Sequence, residues 1–180
     1  MATAYMMNNL LVSCLMFFVM IGSLNAKPPD IKAICGKAKN TFFCTNYTKS
    51  ITKTSAADIK TFATTILGSA QITAITGVTR YENLAKRPYP ALEKEATACA
   101  RLYKNTITSL GEATKSSRSG DGPGLKNKVS AAMLGPTRCQ DRVAKFKADP
   151  SIPKLFKPTI YYKDDFEDFC DIVLVISDMM

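Results

Sequence analysis

The residues that could perform nucleophilic or metal chemistry are the six cysteines, because the chain contains no histidine. Without histidine, Ser–His and Cys–His nucleophilic pairs and a histidine general base are excluded. The usual nitrogen ligand of zinc is also missing, and the spacing of the cysteines is unlike that of a zinc site. Only carboxylate, lysine or tyrosine catalysis stays open, and we expect no cofactor and no metal.

Two further patterns could suggest catalysis, and each has a simpler structural explanation. Acidic residues cluster near the C-terminus as Asp164, Asp165, Glu167 and Asp168. Two carboxylates suffice for glycoside hydrolysis, but the helix dipole also favours acidic residues in a first helical turn. The glycines between Gly120 and Gly124 follow no strand, and Pro123 removes an amide donor, so they fit no phosphate-binding fingerprint. Neither pattern therefore indicates catalysis, and an enzyme built on the acidic cluster stays as a competing alternative.

The N-terminal residues predict secretion. An apolar run from Leu10 to Leu24 ends at Asn25-Ala26 and is followed by a polar stretch. A membrane-spanning helix needs about 20 apolar residues, so this run is short for an anchor and fits a cleaved signal peptide at residues 1–26. Residues 27–180 then form one secreted, extracellular domain with a single core, without a membrane anchor. In that compartment Asn46-Tyr47-Thr48 is a candidate glycosylation sequon at Asn46.

The charge balance indicates the kind of partner. The net charge is +9, and the leader contains no charged side chain, so the excess lies on residues 27–180. Such an excess favours acidic partners, and for a secreted protein these are acidic pectin or an acidic enzyme. Aromatic residues are not interleaved with the basic ones, which argues against nucleic acid. Arg138, Arg142 and Lys145 form a basic helical stripe, either a solvated face or a partner contact.

The cysteines predict a disulfide framework. Cys14 leaves with the signal peptide, and five cysteines remain: Cys35, Cys44, Cys99, Cys139 and Cys170. In an oxidising compartment four of them pair, and the fifth is a buried thiol or a link to another chain. Four cysteines allow three pairings, and the sequence does not choose among them. Cys35 and Cys44 are close enough to close a tight hairpin, and Cys170 lies on an apolar helical stripe, where we expect a buried thiol.

The elements that position these residues are expected to be helices. Apolar residues recur at spacings of three and four, which is typical of amphipathic helices. Two short helices are predicted at Asp30–Lys39 and Thr41–Ser50, followed by four longer ones whose apolar stripes begin at Ile59, Leu92, Leu125 and Phe166. Four such helices bury their stripes most simply as an antiparallel bundle. The sequence therefore predicts an all-α fold.

Glycine and proline predict where these helices are interrupted. Ser116–Gly124 has the composition of a loop. Pro150, Pro153 and Pro158 predict a second loop. Gly135-Pro136 falls inside the third long helix, where proline cannot donate to the preceding turn, so we expect a kink there.

An ordered set of motifs resembles a known family. Ile34-Cys35 and Phe43-Cys44 enclose eight residues, and Cys99 is followed one turn later by Tyr103. Ser130-Ala131-Ala132 precedes Cys139, about forty residues after Cys99, and Gln140-Asp141 follows it. With the leader and the final apolar helix, this set resembles the plant invertase and pectin methylesterase inhibitor family, which includes some pollen allergens described as invertase inhibitors. The resemblance covers roughly Asp30 to Ser177.

The resemblance implies a four-helix up-and-down bundle with an N-terminal helical hairpin and two disulfides, Cys35–Cys44 and Cys99–Cys139. It also implies stoichiometric inhibition of an invertase or a pectin methylesterase, without catalysis. Invertase inhibitors of the family carry Pro-Lys-Phe where this chain has Pro123-Gly124-Leu125. We expect partner contacts at Asp121, Pro123, Gly124, Leu125, Arg138 and Arg142. The alternative is a basic cell-wall or allergen-like binding protein without inhibitory activity.

Overall fold

The structure, a computed structural model, describes residues 28–51, 57–87, 90–144 and 158–180, with the backbone alone at 91 and 158–164. These ranges contain six α-helices and no strand: α1 (Ile31–Lys37), α2 (Thr41–Ile51), α3 (Ile59–Ala85), α4 (Pro90–Ser119), α5 (Gly122–Ala144) and α6 (Pro158–Ser177). The expected signal peptide, Lys145 and most of the second predicted loop lie outside the described residues.

The four long helices form the predicted bundle. α3 packs along α4 and α4 along α5, while α6 closes the ring by contacting both α5 and α3. Four residues separate the end of α3 from the start of α4, and two separate α4 from α5, so α4 runs antiparallel to both neighbours. The centre contains fully buried apolar side chains from every long helix, including Phe62, Leu110, Leu125 and Phe166. Each such side chain contributes roughly 1.5–3 kcal/mol by leaving water, and the all-α four-helix fold is confirmed.

Both expected disulfides are present. Cys35 and Cys44 join α1 to α2 with their Cα atoms 5.4 Å apart, and Cys99 and Cys139 join α4 to α5 with a Cα separation of 4.9 Å. In the chain-entropy account, closing a loop of about forty residues stabilises the fold by roughly 4 kcal/mol. The shorter bridge holds a hairpin of two helices that is too small to bury a core of its own.

The α1–α2 hairpin is fastened to α6, and the acidic residues of α6 take part. The Lys39 backbone N–H donates to Asp171 Oδ2 at 2.7 Å, and the Asn40 side-chain amide donates to Asp168 Oδ2 at 2.8 Å. α6 begins at Pro158, so the acidic cluster does not lie in its first turn, and the helix-dipole explanation was wrong. At least Asp168 serves instead to hold the hairpin.

The predicted loop at Ser116–Gly124 is reduced to two residues. α4 continues to Ser119, and Gly120 ends it with φ 78°, a left-handed conformation that glycine adopts without steric cost. The Gly120 and Asp121 N–H groups donate to the Ser117 and Ser116 carbonyls at 3.1 and 3.0 Å, the pattern of a Schellman motif. Asp121 then caps α5, accepting from Gly124 N–H at 2.9 Å. One residue therefore ends one helix and begins the next.

The predicted interruption at Gly135-Pro136 does not end the helix, since α5 runs continuously through Pro136, and the kink expected there stays a prediction. Proline has no N–H, so the Ala132 carbonyl loses its usual donor within the helix. The buried hydroxyl of Thr106 on α4 donates to this carbonyl at 2.9 Å. A Cβ at Gly135 would overlap that hydroxyl and lie 2.7 Å from the Leu102 carbonyl oxygen, so the glycine permits this close approach. A neighbouring helix thus replaces the missing hydrogen bond.

We expect Thr106→Val to lower the free energy of unfolding by about 1–2 kcal/mol, because it leaves a buried carbonyl without this donor. Pro136→Ala supplies an N–H for the same carbonyl, so its effect should be more favourable in the Thr106→Val background than in the wild type by about 1 kcal/mol. Denaturant unfolding of the double-mutant cycle measures this coupling.

The control is Thr108→Val, which removes an exposed hydroxyl whose bond stays within α4. It should change stability by less than about 0.5 kcal/mol. Equal effects of the two valine substitutions, or additive effects in the cycle, would show that the Thr106 bond does not compensate for Pro136.

Cys170 is the free cysteine among the described residues, and it is completely buried in α6. Burial raises the pKa of its thiol strongly, and the carboxylates of Glu167 and Asp171 raise it further. Because the thiolate is the nucleophile, a raised pKa keeps Cys170 protonated and unreactive at neutral and mildly alkaline pH. The expectation of a buried thiol is confirmed.

We expect iodoacetamide at pH 8 to label Cys170 in denaturant but not in the native protein. Peptide mapping under non-reducing conditions should recover the Cys35–Cys44 and Cys99–Cys139 peptides intact. Native labelling at the rate of an exposed thiol, or any bridge that includes Cys170, would contradict this arrangement.

Candidate partner-contact surface on α5

The six residues expected to contact a partner lie at two separate places on α5. Asp121, Pro123, Gly124 and Leu125 cap the helix or form its first turn, whereas Arg138 and Arg142 lie near its C-terminal end. At a rise of 1.5 Å per residue, Asp121 and Arg138 are about 25 Å apart along the helix. The structure therefore does not bring these residues together into one cluster.

The first turn of α5 serves mainly to build the helix. Asp121 and Pro123 are exposed, but Leu125 is completely buried in the bundle core. A Cβ at Gly124 would overlap the Asp121 carboxylate and lie 2.9 Å from Ser116 Oγ. The expectation of a Leu125 contact was therefore wrong, because its side chain is not on the surface. Lysine and phenylalanine at 124 and 125 would disturb the helix cap and the core.

The cations of α5 divide into those bound to neighbouring elements and one that lies on the outward face. Three of them form ion pairs: Lys126 with Asp178 at 2.8 Å, Lys128 with Glu112 at 2.6 Å, and Arg142 with Glu95 at 2.9 Å. Glu95 is only 8% exposed while the Arg142 side chain is 46% exposed, so their pair connects α4 to α5 with the carboxylate buried and the guanidinium partly in water. Arg138 is exposed. The predicted basic stripe is thus not a uniform surface.

Arg138 belongs to an outward line of four exposed residues that we name the α5 ridge: Asn127, Ala131, Leu134 and Arg138. Their spacing of four, three and four places them on one face of the helix. Leu134 is 51% exposed, Lys126 and Lys128 adjoin Asn127 at one end of the ridge, and Arg142 follows Arg138 by one turn at the other end. An apolar side chain next to a guanidinium, bordered by polar groups, has the character of a protein-contact surface.

Leu134 was not found from the sequence. Periodicity identifies the apolar stripe that includes Leu125, Val129 and Met133, and Leu134 is not part of it. The available signal was a leucine placed one position off that stripe in an otherwise amphipathic helix.

Comparison with known proteins decides the family. The model of the family "Plant invertase/pectin methylesterase inhibitor" matches residues 29–176. The chain belongs to this family. It is 52% identical over 178 residues to Pectinesterase inhibitor 2 of Arabidopsis thaliana, covering 98% of this chain and 99% of that protein. It is 32% identical to Pectinesterase inhibitor 1 of the same plant, covering 98% and 97%, and 31% identical to the pectinesterase inhibitor of Actinidia deliciosa, covering 100% and 98%.

Solved structures of this inhibitor family have the same fold. A mutant form A of a pectin methylesterase inhibitor from Arabidopsis superposes with a TM-score of 0.70 at 29% identity, covering 84% of this chain and 97% of that one. A second crystal structure of a pectin methylesterase inhibitor from Arabidopsis thaliana gives a TM-score of 0.60 at 29% identity, covering 83% and 95%. Family membership confirms the expectation of an inhibitor that is not an enzyme.

Two observations concern possible metal and membrane sites in the described ranges. No group of three or more cysteine, aspartate or glutamate side chains there is arranged to hold a metal ion. None of the helices in that part of the chain is both long and apolar enough to cross a bilayer.

The ion pair of Arg142 predicts different effects for two arginines on the same helix. Arg142→Gln should lower the free energy of unfolding by about 1–2 kcal/mol, because it removes a charge-assisted bond to a buried carboxylate. Arg138→Gln, the matched control, should change it by less than about 0.5 kcal/mol. Urea unfolding of both variants, each also combined with Glu95→Gln, measures the coupling. An equal cost for the two arginines would rule out a structural role for Arg142.

Proposed function

We propose that this chain inhibits a pectin methylesterase in the plant cell wall by forming a stoichiometric complex with it. The observation that carries this proposal is the 52% identity to Pectinesterase inhibitor 2 over 98% of the chain. The two more distant relatives are also named as pectinesterase inhibitors. These names favour a pectin methylesterase over an invertase as the target.

The start of α5 gives further support for this choice of target. The Pro-Lys-Phe motif of the family's invertase inhibitors is replaced by Pro123-Gly124-Leu125. Neither a lysine nor an aromatic side chain is present there, and Leu125 is buried. The chain therefore lacks the side chains that an invertase inhibitor of this family carries at this place.

Secretion is part of the proposal. The apolar run and small residues at 1–26 have the pattern of a signal peptide, and the family match begins at residue 29. The two disulfides also need an oxidising compartment to form and persist. We therefore place the mature domain, residues 27–180, in the apoplast, where its net charge of +9 meets acidic pectin.

The α5 ridge is the surface that we assign to the enzyme. Its residues lie on a helix that is fixed by a disulfide and by contacts with α4 and α6. Little conformational entropy is lost when such a rigid surface binds. Leu134 supplies apolar contact area, and Arg138 attracts an acidic enzyme surface and raises the association rate at low salt.

A basic wall-binding protein without inhibitory activity is the alternative that the net charge supports. Such a protein would bind polygalacturonate through screened charges, and its retention would fall steeply with salt. Of the cations on α5, however, Lys126, Lys128 and Arg142 already pair with acidic residues of this chain.

The deciding experiment titrates the purified mature protein against one plant pectin methylesterase and one acid invertase. We expect pectin methylesterase activity to fall to near zero around an equimolar ratio, with invertase activity unchanged. Inhibition of the invertase alone would contradict the choice of target. Salt-sensitive retention on pectin without inhibition of either enzyme would favour the wall-binding alternative.

We expect Leu134→Glu to weaken binding to the pectin methylesterase at least tenfold, because it puts a solvated charge at the centre of the ridge. Ile72→Glu is the matched control, since Ile72 is 67% exposed on the outer side of α3, and it should leave the affinity within about twofold. A tenfold loss corresponds to about 1.4 kcal/mol of binding free energy, which an inhibition titration resolves. Equal affinities for the two variants would remove α5 from the contact surface.

A further inference from the structure

Asn46 lies on the exposed side of α2, beside a cleft between α2 and α6 of about 690 Å³. The side chains that matter here are Phe42, Phe43, Asn46, Tyr47, Asp165 and Asp168. This combination of one exposed and two half-buried aromatic rings, an amide and carboxylates is not explained by the bundle core or by the α5 ridge.

Two aromatic rings of the cleft pack against a ring of α6. The Phe43 and Tyr47 rings stack with their centroids 6.0 Å apart, and both make T-shaped contacts with the Phe169 ring on α6, at centroid distances of 5.1 and 4.8 Å. Phe42 lies at the front, 79% exposed. Leaving a phenylalanine in water gives up roughly 1.5–3 kcal/mol of burial energy. A cover for this ring would therefore be favourable.

The side chains of the cleft favour a neutral sugar as the group that packs on the Phe42 ring. The C–H face of a pyranose ring is apolar and packs on an aromatic ring, while its hydroxyls donate hydrogen bonds to carboxylates such as Asp165 and Asp168. The same carboxylates repel the uronate groups of acidic pectin. An N-acetylhexosamine meets both requirements, and polygalacturonate does not.

Asn46 can carry such a sugar covalently. It is exposed and begins the sequon Asn46-Tyr47-Thr48, and it lies one helical turn after Phe42, so the two side chains are neighbours on α2. We propose that Asn46 carries an N-linked glycan and that its first N-acetylglucosamine lies over Phe42 in this cleft. The proposal rests on secretion and not on inhibition, so its failure would leave the proposed target unaffected.

The covalent step uses the donor of the secretory pathway, a lipid diphosphate-linked oligosaccharide. A bond forms between Asn46 Nδ2 and C1 of the first sugar, the C1–O bond to the diphosphate breaks, and Nδ2 loses one proton. In the folded hairpin Thr48 is completely buried and its hydroxyl donates to the Cys44 carbonyl at 2.7 Å. Transfer therefore precedes closure of the α1–α2 hairpin, while Thr48 is still accessible.

The first test compares the full chain with Asn46→Gln, both expressed in a plant secretory host. Intact-mass measurement should find one N-glycan on the wild type and none on the variant. Hydroxyl-radical footprinting should then show Phe42 oxidised at least threefold more slowly in the glycosylated protein. Ile72, exposed on α3, is the internal reference and should be oxidised equally in both. An unmodified Asn46, or equal oxidation of Phe42, would overturn the proposal.

A second test separates contact with Phe42 from simple shielding by a tethered glycan. The glycosylated wild type should melt about 3 °C above Asn46→Gln, as expected for one modest additional contact in a domain of this size. Phe42→Ala keeps the sequon and replaces an exposed side chain, so the fold should persist. In that background the difference in Tm between the glycosylated protein and its Asn46→Gln counterpart should disappear. If the full difference in Tm persists in the Phe42→Ala background, the sugar does not pack on Phe42.

Discussion

The close approach of α4 to α5 is the constraint on which the rest of the structure depends. Three contacts hold these helices together along facing residues: the Cys99–Cys139 disulfide, the Thr106–Ala132 hydrogen bond, and the backbone contact at Gly135. Because the helices are antiparallel, Cys99 lies opposite Cys139 and Thr106 lies opposite Ala132. This pairing fixes the rotation of α5 about its own axis. It therefore decides which residues of α5 face solvent and places Leu134 and Arg138 on the outside.

Much of the fold could be predicted from the sequence, because burial imposes a spacing of three and four on the apolar residues of each helix. The errors arose where a local rule was overruled by a more distant contact or by overlapping caps. Pro136 does not break α5 because its missing hydrogen bond is replaced by Thr106, thirty residues earlier in the chain. The glycine-rich composition at Ser116–Gly124 suggested a long loop, but Asp121 ends one helix and caps the next.

The candidate surface was less predictable than the fold. The sequence identified α5 and Arg138, because a basic stripe beside an apolar one is visible in the spacing. It could not show that Arg142 is paired with Glu95, since the two residues are 47 positions apart on different helices. It also placed Leu125 on the contact surface, where the family motif directed attention, although an apolar residue at the start of the buried stripe is a core residue. The sequence pattern predicts which residues share one face of a helix. Whether a charged residue forms an ion pair depends on residues that are distant in the sequence and close in space.

The α1–α2 hairpin links the fold to the candidate contact surface, because its turn lies next to α5. A second cleft, of about 350 Å³, is bordered by Lys39 and Asn40 of the turn, by Met133 of α5 and by acidic residues of α6. Met133 immediately precedes Leu134, so a partner that covers the α5 ridge also approaches the hairpin turn. The Cys35–Cys44 disulfide and the bonds from Lys39 and Asn40 to α6 hold that turn in place. The acidic side chains of α6, which first suggested catalysis, therefore help to fix the shape of the surface that surrounds the ridge.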